Sequence, residues 1–305
     1  MSQSRPFAGV FTALVTPMRE AASGGASVPV PAIDEQALAA LCEAQIAGGV
    51  DGLVACGTTG EAATMSAAEQ ARTIRIVVEA ARGRVPVLAG VGSPSTAQSV
   101  ELAQAAQAQG ASGLLAVTPY YNRPSQDGLI AHFTELARLG QPIMLYNVPA
   151  RTGCDLLPDT VARLCALPQV VALKEASGSV LRTQQLHSKL GDRLAILSGE
   201  DALNFPLYCV GACGAVSVVS NVAPALTAQV WDLFAAGQHQ QARAAHERTL
   251  PLAELLFSEP NPIPAKAALA LLGQLEPVLR LPLVPMTAAG RERLRAQLQA
   301  LGLLA

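Results

Sequence analysis

The chain has 305 residues with a formal net charge of −2; half of them are hydrophobic, 14% are charged and only 4% are aromatic. That length accommodates one large core and an appendage, and so low a charged fraction points to extensive buried surface or to an assembly that hides part of the exterior. A near-neutral balance with few rings excludes a nucleic-acid surface, which needs a basic patch or stacking aromatics, and no apolar run nears membrane-spanning length.

Residues 1–7 lack the charged and apolar pattern of a signal peptide, so a cytoplasmic location is expected. The six cysteines, at 42, 56, 154, 165, 209 and 213, show no CxxC pair and no zinc spacing, and read as reduced packing residues. The histidines at 132, 187, 239 and 246 form no HExxH or equivalent pair, so no catalytic metal is expected.

In chain order, one unit repeats from Gly9 to about Gly237: an apolar strand, a turn rich in Gly, Thr, Pro and Asn, then a helical pattern. Strands are predicted at 10–15, 52–55, 85–89, 113–117, 143–146, 170–173, 194–197 and 215–219. Eight strands alternating with helices fit an α/β (β/α)8 TIM barrel better than an open sheet. A segment at 20–31, rich in Ala, Ser, Gly and Pro, reads as a loop without assigned function. Asp34 is a helix cap with Ile33 and Leu38 at staple spacing, and Ser66 with Glu69 forms a capping box before Ile74, Val77, Val78 and Ala81. After Gly237 the alternation stops. Helical periodicity at 238–257, 264–272 and 287–301 predicts a C-terminal helical domain, 238–305, behind a catalytic barrel, 1–237.

In a barrel the residues that follow the strands share one mouth, where chemistry is sought. The second strand runs into Gly57-Thr58-Thr59-Gly60-Glu61, a turn able to hold a small carboxylate through backbone N–H groups and hydroxyls, or simply an ordinary βα turn. The fourth ends in Thr118-Pro119-Tyr120-Tyr121-Asn122-Arg123-Pro124, whose paired tyrosines suit either a site or a contact between subunits. The fifth supplies Tyr146, a general acid/base or a satisfied core phenol, and Arg151, a fork for a carboxylate or a surface ion pair.

The sixth strand, Val170-Val171-Ala172-Leu173, ends at Lys174, one of only three lysines in the chain. An amine among Val, Ala and Leu loses solvation, which favours the free base that attacks carbonyls; a lysine snorkelling to solvent is the plainer alternative. No carboxylate pair, Ser/His/Asp set or GxxxxGK[ST] is visible. The remaining equipment, an amine with phenols, hydroxyls and an arginine, suits imine chemistry on a keto acid.

Taken together, Gly57-Thr58-Thr59-Gly60-Glu61, Pro119-Tyr120-Tyr121-Asn122, Tyr146-Asn147-Val148-Pro149-Ala150-Arg151-Thr152-Gly153, Lys174-Glu175-Ala176 and Asn261-Pro262-Ile263-Pro264-Ala265-Lys266 resemble the dihydrodipicolinate synthase family of pyruvate-dependent aldolases and lyases. The resemblance implies that Lys174 forms an imine with pyruvate and that the derived enamine attacks the aldehyde of L-aspartate 4-semialdehyde before ring closure. It implies Tyr146 as proton shuttle, Thr58 as its link to Tyr121 of a neighbouring subunit, and Thr59 with adjacent backbone as holder of the pyruvate carboxylate. Arg151 would engage the second substrate, with Gly199 and Val216 as pocket wall. No cofactor is implied beyond the covalent imine. The partners are those two substrates and further copies of the chain, as a dimer of dimers.

One departure has content. Lysine-inhibited members of this family bind the end product through polar or ionisable side chains, and the matching positions here are Ala62, Ala67, Gln70, Pro94 and Gln98, although Tyr120 matches. Weak or absent lysine feedback is therefore expected. The alternatives are a sister aldolase with the same imine, such as an N-acetylneuraminate lyase or a 2-keto-3-deoxy sugar acid aldolase, and a non-catalytic scaffold on the same barrel.

Overall fold

The computed structural model describes residues 7–20 and 30–304. Eight parallel strands close into a barrel: β1 Gly9–Ala13, β2 Gly52–Ala55, β3 Val87–Gly90, β4 Gly113–Val117, β5 Ile143–Asn147, β6 Val170–Glu175, β7 Ala195–Ser198 and β8 Gly214–Ser217. They are apolar on both faces because both faces are covered. Phe11, Val54, Leu88, Leu115, Met144, Ala172, Leu197 and Val216 fill the interior. The alternate positions Leu53, Leu114, Leu145, Leu173 and Ile196 pack outward.

Eight helices cover the barrel: α1 Glu35–Ala47, α2 Ala67–Ala81, α3 Thr96–Ala108, α4 Gln126–Ala137, α5 Pro158–Leu164, α6 Val180–Leu190, α7 Asn204–Cys209 and α8 Pro224–Ala235. Asp34 caps α1 by accepting the Ala37 N–H at 3.0 Å, and Ile33 packs against the cluster that contains Leu38. Ser66 and Glu69 close the capping box of α2, with Ser66 N–H donating to Glu69 Oε2 at 2.9 Å. Ile74, Val77 and Ala81 are buried, while Val78 packs at the flank.

Several strand boundaries differ from those predicted. The first strand stops at Ala13 because Val15 N–H turns to the Asn221 side chain, at 3.0 Å, in place of a strand partner. The third begins at Val87, after Pro86, which has no N–H for a ladder. The last ends at Ser217 because the carboxylate of Asp201 accepts the Val218 and Val219 N–H groups, at 2.7 and 3.0 Å, and coils the chain into a 3-10 turn. The fifth, sixth and seventh extend beyond their predicted ends, to Asn147, Glu175 and Ser198. Tyr146 pairs with Lys174 and Lys174 with Leu197, which places the lysine within β6, not after it.

Residues 21–29 of the predicted 20–31 loop lie outside the described residues; its flanks, Met18–Arg19 and Ala32–Ile33, pair as an antiparallel ribbon. The tail forms α9 His239–Leu256, α10 Ile263–Leu271 and α11 Ala288–Ala300. Its Leu252, Leu256, Ile263, Leu269, Leu294 and Leu298 belong to the same apolar cluster as the outward side chains of the strands. Among the described residues no helix is long and apolar enough to cross a membrane.

Candidate active site

A cleft of about 240 Å³ opens where β2 to β5 end, lined among others by Thr58, Tyr120, Tyr146, Val148, Arg151 and Thr152. Lateral pairing of Tyr146 with Lys174 turns both side chains to the barrel interior. The Lys174 amine lies over the Tyr146 ring, 4.3 Å from its centroid, in a residue only 5% exposed. Tyr146 also lines the cleft, so the amine touches a residue of its wall. Gly199 lies against the lysine stem: a Cβ there would stand 3.1 Å from Lys174 Cε and 2.6 Å from Ala176 Cβ. Val216 is buried in the interior layer.

Thr58 is exposed and lines the cleft, without a direct hydrogen bond to Tyr146 among the described residues. Thr59 is buried, and its Oγ1 accepts from Asn261 Nδ2 at 2.9 Å. Arg151 sits exposed on a single helical turn, Pro149–Thr152, and pairs with no carboxylate among the described residues. The two tyrosines diverge. Tyr120 lines the cleft, whereas Tyr121 is 91% exposed and turned away from it. Tyr121 and Arg123 adopt positive φ, 73° and 50°, which side chains with a Cβ disfavour. Hydrogen bonds from Tyr121 N–H to Thr152 O, 3.2 Å, and from Arg123 Nε to Gly153 O, 2.9 Å, hold that shape.

Two buried polar frames support the mouth, and no role was assigned to either from the sequence. In the first, Asn147 donates to Glu175 Oε2 at 3.2 Å and to Asp155 Oδ1 at 3.1 Å, and Arg182 holds Asp155 at 2.6 Å. Burial pushes the Glu175 carboxyl up, against bonds from Ser177 and Asn147 that favour its ionised form. Glu200 is also raised, by burial and by Asp201, with the charges of Lys174 and Arg151 opposing. In the second frame Glu61, at φ 57°, forms a buried ion pair with Lys266 and accepts the Arg280 N–H at 3.1 Å. Burial pulls the Lys266 amine down and Glu61 opposes that shift. Arg280 continues the frame to Thr64 O at 2.8 Å and to Glu69 Oε1 at 2.5 Å. The available signals were charges inside apolar runs, Glu175 after Leu173-Lys174 and Lys266 within Ile263–Leu271.

An amine against a phenol, next to a cleft with hydroxyls and an unpaired guanidinium, can bind a carboxylated carbonyl compound, condense with it and move protons. Among the described residues no three His, Cys, Asp or Glu side chains are grouped as a metal ion requires. The model of the dihydrodipicolinate synthetase family matches residues 6–301. The chain is 53% identical over 298 residues to the 4-hydroxy-tetrahydrodipicolinate synthase of Sorangium cellulosum, covering 97% of this chain and 96% of that one. Among solved structures it matches the chloride-inhibited dihydrodipicolinate synthase of Acinetobacter baumannii complexed with pyruvate, with TM-score 0.92, 39% identity and coverage of 97% and 99% of the two chains. It also matches a monomeric dihydrodipicolinate synthase variant, with TM-score 0.92, 38% identity and 98% of each chain.

Proposed function

This chain belongs to the dihydrodipicolinate synthetase family, and we infer that it is a lyase that condenses pyruvate with L-aspartate 4-semialdehyde, as a 4-hydroxy-tetrahydrodipicolinate synthase does. The observation that carries this reading is the buried Lys174 amine, 4.3 Å from the centroid of a phenol that lines the cleft. Nζ attacks the keto carbon, a C–N bond forms, and the carbonyl oxygen leaves as water once protonated. The iminium nitrogen then takes up the electron pair left when a methyl proton departs, and the resulting enamine carbon bonds to the aldehyde carbon. Ring closure by the second substrate's own amine displaces Lys174. The nitrogen acts as electron sink, so the chemistry needs no cofactor.

Tyr146 moves the protons, help usually worth about 10² to 10⁴ in rate. Thr58 links it to Tyr121 of another copy of the chain, a use supported by the 91% exposure of Tyr121 in a single copy. Thr59 holds the pyruvate carboxylate and Arg151 the carboxylate of the semialdehyde, while Gly199 and Val216 shape the wall. The assembly in this reading is a dimer of dimers, and its location is the cytoplasm, where six free thiols are at home.

Borohydride with pyruvate tests the central step: a stable adduct is expected on the peptide that carries Lys174, and none in Lys174→Ala. No adduct in the native protein, or an adduct at Lys189 or Lys266, would overturn the mechanism. Loss of activity in Tyr121→Phe, restored in part by mixing with subunits inactivated at Lys174, checks the shared relay.

A further inference from the structure

Thr59 adjoins Thr58 of the cleft, and its hydroxyl oxygen accepts the Asn261 amide N–H at 2.9 Å. A hydroxyl has one proton and two lone pairs. With Asn261 occupying a lone pair, the proton is left free, and among the described residues no acceptor takes it. Both partners are more than nine-tenths buried, so water does not compete for the bond. The Asn261 Oδ1 on the other side of the amide is buried without a partner. The contact with Thr59 is thus the bond that the Asn261 side chain makes.

The same stretch of the tail locks the rest of the turn. Lys266, five residues after Asn261, pairs with Glu61, and Arg280 N–H donates to Glu61 Oε2 at 3.1 Å.

We propose that Asn261 is a positioning residue: by donating to Thr59 Oγ1 it commits the threonine proton to the cleft, where the carboxylate of the keto acid receives it. This rests on the reading that Thr59 holds that carboxylate. An acceptor at 261 would claim the proton and turn the hydroxyl away from the ligand. Asn261→Asp has nearly the same shape but only accepts, so it reverses the bond, whereas Asn261→Ala merely frees the rotor.

The experiment measures the pyruvate concentration that half-saturates borohydride trapping, with kcat and thermal melting, in the native protein and both variants. The expected half-saturating concentration rises about tenfold in Asn261→Ala and about a hundredfold in Asn261→Asp, the range of a lost charge-assisted hydrogen bond, while kcat at saturation changes less than about threefold. In Thr59→Val, adding Asn261→Asp raises it no further. A purely structural asparagine would give the opposite order, with the isosteric Asp milder than Ala, and that result overturns the proposal. So does an Asp effect that persists undiminished in Thr59→Val, which would mark direct charge repulsion. Should the Asp variant not fold, additive effects of Asn261→Ala and Thr59→Val would overturn it instead. Failure of the native protein to be trapped would sink the imine reading, whereas native trapping with an unaffected Asp variant sinks this inference alone.

Discussion

Replacing Gly199 by alanine probes the packing of the reactive lysine and also brings a methyl to 3.1 Å from the Glu175 carbonyl oxygen. The new methyl would lie 2.6 Å from Ala176 Cβ and 3.1 Å from Lys174 Cε. Carbon atoms rest at roughly 3.5 to 4.0 Å, so the Ala176 contact requires about 1 Å of movement and the lysine stem about half that. Overpacking of this kind costs about 1 to 3 kcal/mol, or a Tm lower by about 2 to 6 °C in a chain of this size. A reacting group displaced by 1 Å loses about 10² in rate, so kcat and the trapping rate should fall about ten- to a hundredfold. Ala176→Gly added to Gly199→Ala removes the closest clash but leaves the contacts with Glu175 O and the lysine stem. It should restore most of the Tm and little of the rate. Steady-state kinetics, trapping and calorimetry on the three variants read this directly. Native turnover in folded Gly199→Ala would show that the lysine stem is not confined as described.

The remaining expectations concern the frames and regulation. Lys266→Met leaves Glu61 buried and unpaired, which should cost about 3 to 5 kcal/mol by denaturant unfolding, whereas adding Glu61→Gln should recover much of it; equal destabilisation of single and double variants would contradict the pairing. Arg280, chiefly through its hydrogen bonds, holds the Glu69 carboxyl down at about 2. A lowered acid contributes stability that is present above its unfolded value near 4.3 and is lost as pH falls toward 2. Discounted for solvent screening, that contribution is about 1 to 2 kcal/mol. Glu69→Gln should therefore be less stable than the native protein at pH 7 by this amount and equal to it near pH 2, and a pH-independent gap would refute the assignment. Free lysine at micromolar concentration should not inhibit. Gln70 donates to Ala62 O at 3.1 Å and Gln98 accepts from Ser93 at 2.6 Å, so both amides are already engaged, and no carboxylate stands at the matching positions. Potent inhibition in a steady-state assay would overturn this expectation.

The barrel was legible because its strands are short, apolar on both faces and separated by helices with strong caps at Asp34 and Ser66. Their ends were less so. Those ends are set by side chains distant in sequence, such as Asn221 on Val15 and Asp201 on Val218. Lys174 stood out as a charge at the close of an apolar run, although the strand extends through it and Glu175. Thr58, Tyr146 and Arg151 were found together at the mouth as the motifs suggested. Tyr120 and Tyr121 are neighbours in sequence with different destinations, because positive φ at Tyr121 turns the chain between them. What the motifs could not reveal was why Asn261 and Lys266 accompany a turn some two hundred residues earlier. That pairing is a fact of folded space, not of local pattern.

The distance in sequence between Thr59 and Asn261 has a consequence for biosynthesis. All eight strands will have left the ribosome before position 261 is made, and Arg280 arrives later still. The turn beside the cleft therefore receives its braces, and the outward faces of the strands their last apolar cover, only when translation is nearly finished.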